Sequence, residues 1–244
     1  MVEVVLALAL LFAGGAVLIA LEHRCHAVAR PRAGRDWLKF AVYAGLIGGL
    51  VGMAAGLGRA GLVPLLLLVA GLGALELHRS RCPRGSRLSG ALTTFPLLLG
   101  LGHLLLGPSD TWFRWFALAL ILVASMDSFS QLWGRLLGTR PLCPRLSPGK
   151  TVEGLVGGGL TTVAVAAALG PLFLGHSPVP MAGLGALTAA GAVVGDLTFS
   201  WIKRRAGLKD FSSVLPGHGG VLDRFDSLVV GAPVFFWSRL VLFG

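Results

Sequence analysis

The sequence predicts an all-α polytopic integral membrane protein of about eight transmembrane helices, with a polar site at the cytoplasmic ends of the last four. Three observations predict it. Hydrophobic residues make up 55% of the 244 positions and glycine adds 36 more, so about 70% of the chain is apolar or lacks a side chain. Only 13% is charged, where a soluble domain carries about 25%. That composition excludes a soluble globular domain and intrinsic disorder, and the glycines keep no three-residue period that would suit collagen. The second observation is a series of apolar runs near the ~20 residues that cross ~30 Å of hydrocarbon. The third is the distribution of basic residues between those runs.

The runs are 2–21, 38–57, 62–77 and 91–106, an N-terminal region over 1–110, and 113–132, 155–174, 181–202 and 225–243, a C-terminal region over 111–244. The first begins Met1-Val2-Glu3, without the basic residues that open a secretory signal, and is expected to stay as a membrane anchor. Several runs are short or glycine-rich, so their ends are approximate and one pair is open to a re-entrant reading. No repeat interrupts the series.

Lysine and arginine in short loops mark the cytoplasmic side. The loops after the first, third, fifth and seventh runs hold 18 of the 21 basic residues, and the opposite side keeps only Arg59, Arg114 and Arg239. Run count and charge alternation come from different residues and agree, placing both termini away from the cytoplasm. The net charge of +10 would suggest a nucleic-acid partner in a soluble chain. Here topology accounts for it, and the expected partner is the bilayer, with no nucleic acid. Cys25, Cys82 and Cys143 are odd in number and too dispersed for a disulfide framework.

Of the 11 carboxylates, Glu3 and Asp110 fall on the outer side, and Glu22, Asp36 and Glu76 at the inner ends of the first three runs. The other six, Asp127, Glu153, Asp196, Asp210, Asp223 and Asp226, gather at or near the cytoplasmic ends of the last four. Asp127 and Asp196 each sit inside an apolar run, where an ionised carboxylate is costly and marks a functional candidate. The alternative is a helix-end acid that snorkels to the interface or pairs with an arginine. Lys150, Lys203, Arg204, Arg205, Lys209 and Arg224 are interleaved with these acids. Acids beside bases suit a metal-chelated polyphosphate: carboxylates share Mg²⁺ with phosphate and water, and the bases neutralise the remaining phosphate charge. The bases alone would also fit a cytoplasmic belt on anionic lipid.

Gly149-Lys150-Thr151 is no Walker site, because Pro144 stands where that motif needs glycine and no strand is expected before it. The histidines and cysteines of the inner loops include no C-x-x-C pair and do not suggest zinc. Pro216-Gly217-His218-Gly219-Gly220 has so little bulk that backbone N–H groups could approach a phosphate closely, although a plain interhelical turn would read the same way.

The stretch Ser200-Trp201-Ile202-Lys203-Arg204, then Lys209-Asp210-Phe211-Ser212, then Leu215-Pro216-Gly217-His218-Gly219-Gly220-Val221-Leu222-Asp223-Arg224-Phe225-Asp226 resembles the signature of the CTP-dependent phosphatidate cytidylyltransferases, the CDP-diacylglycerol synthases. The block Ser147-Pro148-Gly149-Lys150-Thr151-Val152-Glu153-Gly154 is similar to a second element of that family, and Asp127 with Gly134-Arg135 and Gly138 to a third. The likeness covers about 127–226, with the signature at 200–226. It departs at Ser128-Phe129-Ser130-Gln131, where many members carry a small residue followed by Ala-Tyr, and at Gly149, where lysine or asparagine is common.

The resemblance implies a nucleotidyltransferase of phospholipid biosynthesis in a bacterial inner membrane. The phosphate of phosphatidate, or of a related lipid, attacks the α-phosphorus of CTP and releases pyrophosphate. It implies Asp196, Lys203 and Asp223 as catalytic, and Mg²⁺ held by Asp196 and Asp223 with Asp127 and Asp226 as additional ligands. It further implies a second, monovalent cation such as K⁺. Ser147, Lys150, Thr151, Arg204, Lys209, His218 and Arg224 are the implied substrate contacts. The apolar first half leaves a homodimer open. The rival readings are a CTP-dependent lipid kinase of the polyprenol or dolichol type, giving CDP, and less favourably a transporter.

Overall fold

The computed structural model describes residues 2–25, 30–79, 111–212 and 219–244. They form six helices and one short ribbon, in two compact units, Met1–Leu62 and Val63–Gly244. Among the described residues, five helices are long and apolar enough to cross a bilayer, and Val2–Val17 is a shorter apolar segment. The protein is thus a helical, multi-pass membrane protein.

In the first unit, α1 (Val2–Cys25) and the start of α2 (Arg30–Arg79) carry a small apolar core of Val4, Leu8, Ile47, Leu50, Val51 and Ala54. Phe40 meets Phe12 edge-on at 6.2 Å and lies against Gly15, where a Cβ would sit 2.9 Å from its ring. The second and third expected spans fall on this one 50-residue helix. They are divided only at Gly58, whose φ of 61° and ψ of −152° leave the helical region. Glycine takes that conformation without steric cost, so a single residue interrupts the helix where a loop was expected. The fourth expected span, 91–106, lies outside the described residues.

The second unit holds the rest of α2 and four helices, α3 (Trp112–Leu137), α4 (Val152–Leu174), α5 (Pro178–Arg205) and α6 (Leu222–Phe243). They pack α3 on α4, α4 on α5 and α5 on α6, and α3 also touches α5 and α6. Helix α3 is the central one. Its residues from Trp115 to Met126 are buried without interruption, as expected of a helix apolar all round. Small residues let the helices approach, the usual solution where lipid removes any hydrophobic drive between them. A Cβ at Gly158 of α4 would stand 2.9 Å from the Ser130 backbone, and one at Gly195 of α5 would stand 2.5 Å from the Asp226 carbonyl oxygen.

The all-α expectation holds for the described residues, with one short ribbon joining two of the helices. Between α3 and α4, β1 (Pro141–Cys143) pairs antiparallel with β2 (Ser147–Thr151), Pro141 opposite Thr151 and Cys143 opposite Ser147. Pro141, Pro144 and Pro148 forbid helix through this segment. A turn closed by Leu146 N–H on the Cys143 carbonyl at 3.0 Å folds it back on itself.

Candidate active site

Where α3, α5 and α6 come together with β2, four carboxylates and two lysines converge. Helix α5 presents Asp196, Ser200 and Lys203, spaced four and three residues apart and therefore on one face. Helix α6 presents Asp223, Asp226 and Ser227 in its first turns, by the same periodicity. Asp127 comes from α3 and Lys150 from the ribbon.

Lys203 is nearly buried and donates to Asp223 Oδ1 at 2.8 Å, with Asp226 Oδ2 at 3.6 Å and the Phe211 ring centroid 5.5 Å from its Nζ. The other oxygen of Asp223 accepts the backbone N–H groups of Phe211 at 2.9 Å and Gly220 at 2.8 Å, so this carboxylate, 2% exposed, ties the 211 and 220 backbone to α6. Lys150 pairs with Asp196 Oδ2, and the Ser200 hydroxyl reaches Asp196 Oδ1 at 3.4 Å. Ser227 Oγ donates to Asp127 Oδ1 at 2.8 Å while its backbone N–H donates to Asp226 Oδ1 at 2.9 Å, linking two acids through one residue. Asp226 and Asp196 repel the Asp127 charge, and Lys150 attracts it. Four carboxylates against two ammonium groups leave a formal charge of −2.

The structure therefore brings together Asp127, Lys150, Asp196, Lys203, Asp223 and Asp226. Other expected contacts have different partners. Thr151 caps α4, its Oγ1 accepting Gly154 N–H at 3.1 Å. Arg204 donates to the carbonyls of Leu146 at 3.1 Å and Leu208 at 3.2 Å, joining the ribbon turn to the end of α5. Lys209 is exposed, and Ser147 is half-buried in β2. Arg224 is half-buried, and among the described residues its buried Nε has no hydrogen-bond partner. His218 lies outside the described residues. Glu153 grips the approach to the ribbon, accepting from Thr139 N–H and Oγ1 and from Arg140 N–H and Nε at 2.9–3.2 Å.

Sequence reasoning missed one member of this assembly, Ser227, and one residue beside it, Glu76. Ser227 lies one residue beyond the signature, and its only signal was that it follows Asp226. Glu76 read as a helix-end acid, yet it is buried and accepts from Ser212 Oγ and from the Val221 and Leu222 amides.

The model of the Cytidylyltransferase family matches residues 4–242. The chain belongs to the cytidylyltransferase family. Among its relatives, the Uncharacterized protein YnbB of Escherichia coli (strain K12) is 44% identical over 118 residues, 48% of this chain and 40% of the relative. The Phosphatidate cytidylyltransferase of Haemophilus influenzae is 43% identical over 124 residues, 47% of this chain and 42% of the relative. That of Brucella abortus biovar 1 is 35% identical over 180 residues, 74% of this chain and 66% of the relative. This cytidylyltransferase-family chain thus spans between 40% and 66% of the length of these curated relatives.

The donor set can be tested against Mg²⁺. Carboxylate oxygens are the hard donors that ion takes, and the formal −2 of the cluster matches its charge. Among the described residues no group of three or more acids, histidines or cysteines is placed to hold a metal ion, and the two lysines pair with Asp196 and Asp223. Mg²⁺ commonly binds through one or two carboxylates together with substrate phosphates and water, so the set fits an ion that arrives with a polyphosphate.

Proposed function

We propose that this chain is a CTP:phosphatidate cytidylyltransferase that makes CDP-diacylglycerol and pyrophosphate for phospholipid synthesis. The observation that carries the reading is the convergence of Asp127, Asp196, Asp223 and Asp226 with Lys150 and Lys203, in a family member whose curated relatives include phosphatidate cytidylyltransferases. In the reaction a phosphate oxygen of phosphatidate forms a bond to the α-phosphorus of CTP. The bond from that phosphorus to the bridging α–β oxygen breaks, and pyrophosphate leaves with the electron pair. No covalent enzyme intermediate is needed, so the protein's task is alignment and charge neutralisation.

One or two of Asp127, Asp196, Asp223 and Asp226 would hold Mg²⁺, which would supply neutralisation of the triphosphate charge. K⁺ or another monovalent cation is the second ion we assign to the same acids. Lys203 and Lys150 start on carboxylates and can turn to phosphate oxygens as the substrates enter. Arg224, whose buried Nε has no hydrogen-bond partner among the described residues, is a proposed contact for a phosphate oxygen. Ser147, Thr151, Arg204, Lys209 and His218 complete the proposed substrate-binding side. Asp223 orders the backbone at 211 and 220, so its role includes shaping the pocket that it charges.

The pocket belongs on the cytoplasmic side of a bacterial inner membrane, at the inner ends of the last four of eight spans. The basic residues of the alternate loops support that orientation. There, cytosolic CTP and a leaflet-borne phosphatidate head group can meet at one place. Incubating purified protein with Mg²⁺, phosphatidate and CTP labelled on its α-phosphate tests the reading. Label in the lipid fraction with release of pyrophosphate is expected. Label confined to CDP would instead identify a CTP-dependent kinase, and the absence of turnover with any lipid phosphate would reopen transport.

A further inference from the structure

Helix α6 carries Asp223 and Asp226, yet it begins without a cap of its own. Val221 stands at the N-cap and has no side-chain acceptor, so the first N–H groups of the helix need one from elsewhere. Glu76, near the end of α2, supplies it. Its Oε1 accepts Val221 N–H and its Oε2 accepts Leu222 N–H, both at 2.9 Å. Ser212 Oγ donates to the same Oε1 at 2.7 Å. The next amide back, Gly220 N–H, goes to Asp223. Three successive amides are therefore held by two carboxylates, one of them inside the cluster and one outside it.

The fit leaves no slack. Glu76 is buried, and a Cβ at Gly220 would lie 2.6 Å from its Oε2, so a side chain there would displace the carboxylate. Three residues earlier on the same face of α2, Gly73 lies against Leu222, where a Cβ would stand 3.3 Å from Cδ1. A negative charge at a helix N-terminus also complements the helix dipole.

We propose that Glu76 is a positioning residue for cytidylyl transfer: by capping α6 at Val221 and Leu222 and holding Ser212, it sets the orientation of Asp223 and Asp226 without touching the substrates. The inference rests on the transfer reading above and assigns a task to a residue outside every motif of the sequence. Replacing the carboxylate leaves two amides, the part-buried one of Val221 and the buried one of Leu222, short of an acceptor and frees the start of α6 to shift.

The test compares wild type with Glu76→Gln and Glu76→Ala as purified full chains, with two readouts. One is the Mg²⁺ concentration giving half-maximal transfer, which a smaller folded fraction would not move. The other is amide hydrogen exchange across 219–226, read by mass spectrometry without substrate. In Glu76→Ala the maximal rate is expected to fall about 10-fold and the Mg²⁺ midpoint to rise about 5-fold, with exchange at Val221 and Leu222 at least about 10-fold faster and α4 unchanged. Glu76→Gln, which keeps one acceptor oxygen, falls between, and carries the comparison if the alanine variant does not fold. An unchanged Mg²⁺ midpoint in both variants, or unchanged exchange, overturns the proposal. If wild type itself transfers no label, the transfer reading fails and the positioning role with it, whereas amide exchange still decides whether Glu76 holds the start of α6.

Discussion

Lys203 sets the charge balance of the cluster, because its ammonium serves Asp223 and Asp226 at once from a nearly buried position. Lys203→Met keeps much of the volume but leaves both acids without that partner, and breaking a buried pair from one side costs about 3–5 kcal/mol. A clear fall in Tm is expected, together with transfer reduced by about 100-fold or more, the scale of losing a charge that faces the reacting phosphates. Thermal unfolding and label transfer on the same preparation check both. How much could be read in the sequence divides along physical lines at this scale. Asp127 and Asp196 were legible because a carboxylate inside an apolar run is improbable without a task. Ser227 and Glu76 were not, because hydrogen-bond partners 100 and up to 146 residues away are set by the fold and leave no local pattern. Arg204 shows the opposite limit, since its place in the signature says nothing about the Leu146 and Leu208 carbonyls it meets.

At the scale of elements, the site depends on how closely α5 approaches α6. Gly195 allows it: an added Cβ would meet the Asp226 carbonyl oxygen at 2.5 Å, one residue from Asp196. Gly195→Val should force the helices apart and separate Asp196 from Asp226, lowering transfer by about 10-fold or more, as misplacement of a reacting geometry does. Gly159→Val, on a face with open space, is the control and should keep near-normal activity. Equal activity in the two variants would contradict the packing argument. The five long helices among the described residues were legible from apolar length. The ribbon at 141–151 was not, since a three-residue strand paired with a five-residue one is too short for alternation to register, although its prolines excluded helix. The break at Gly58 was legible in place and misjudged in kind, because a glycine with positive φ interrupts a helix without spending a loop on it.

For the whole molecule, orientation decides which side of the membrane the cluster faces. The charge alternation places Cys25, Cys82 and Cys143 on one side of the membrane, so a membrane-impermeant maleimide should label the chain in inside-out vesicles and leave it unlabelled in right-side-out ones. Labelling from the outer side would contradict the eight-span map. Membrane class was legible from composition, and the family from residues 127–226, whereas the number of spans depends on segments where glycine-rich runs and kinks blur the count. The most direct measurement is transfer of the CTP α-phosphate label to phosphatidate by wild type and by Asp223→Asn, side by side in matched, membrane-inserted preparations. Label should enter the lipid with wild type in step with pyrophosphate release, and Asp223→Asn, which loses the charge paired with Lys203, should be inert. Near-normal transfer by Asp223→Asn, or none by wild type, would contradict the assignment of the reaction to this cluster.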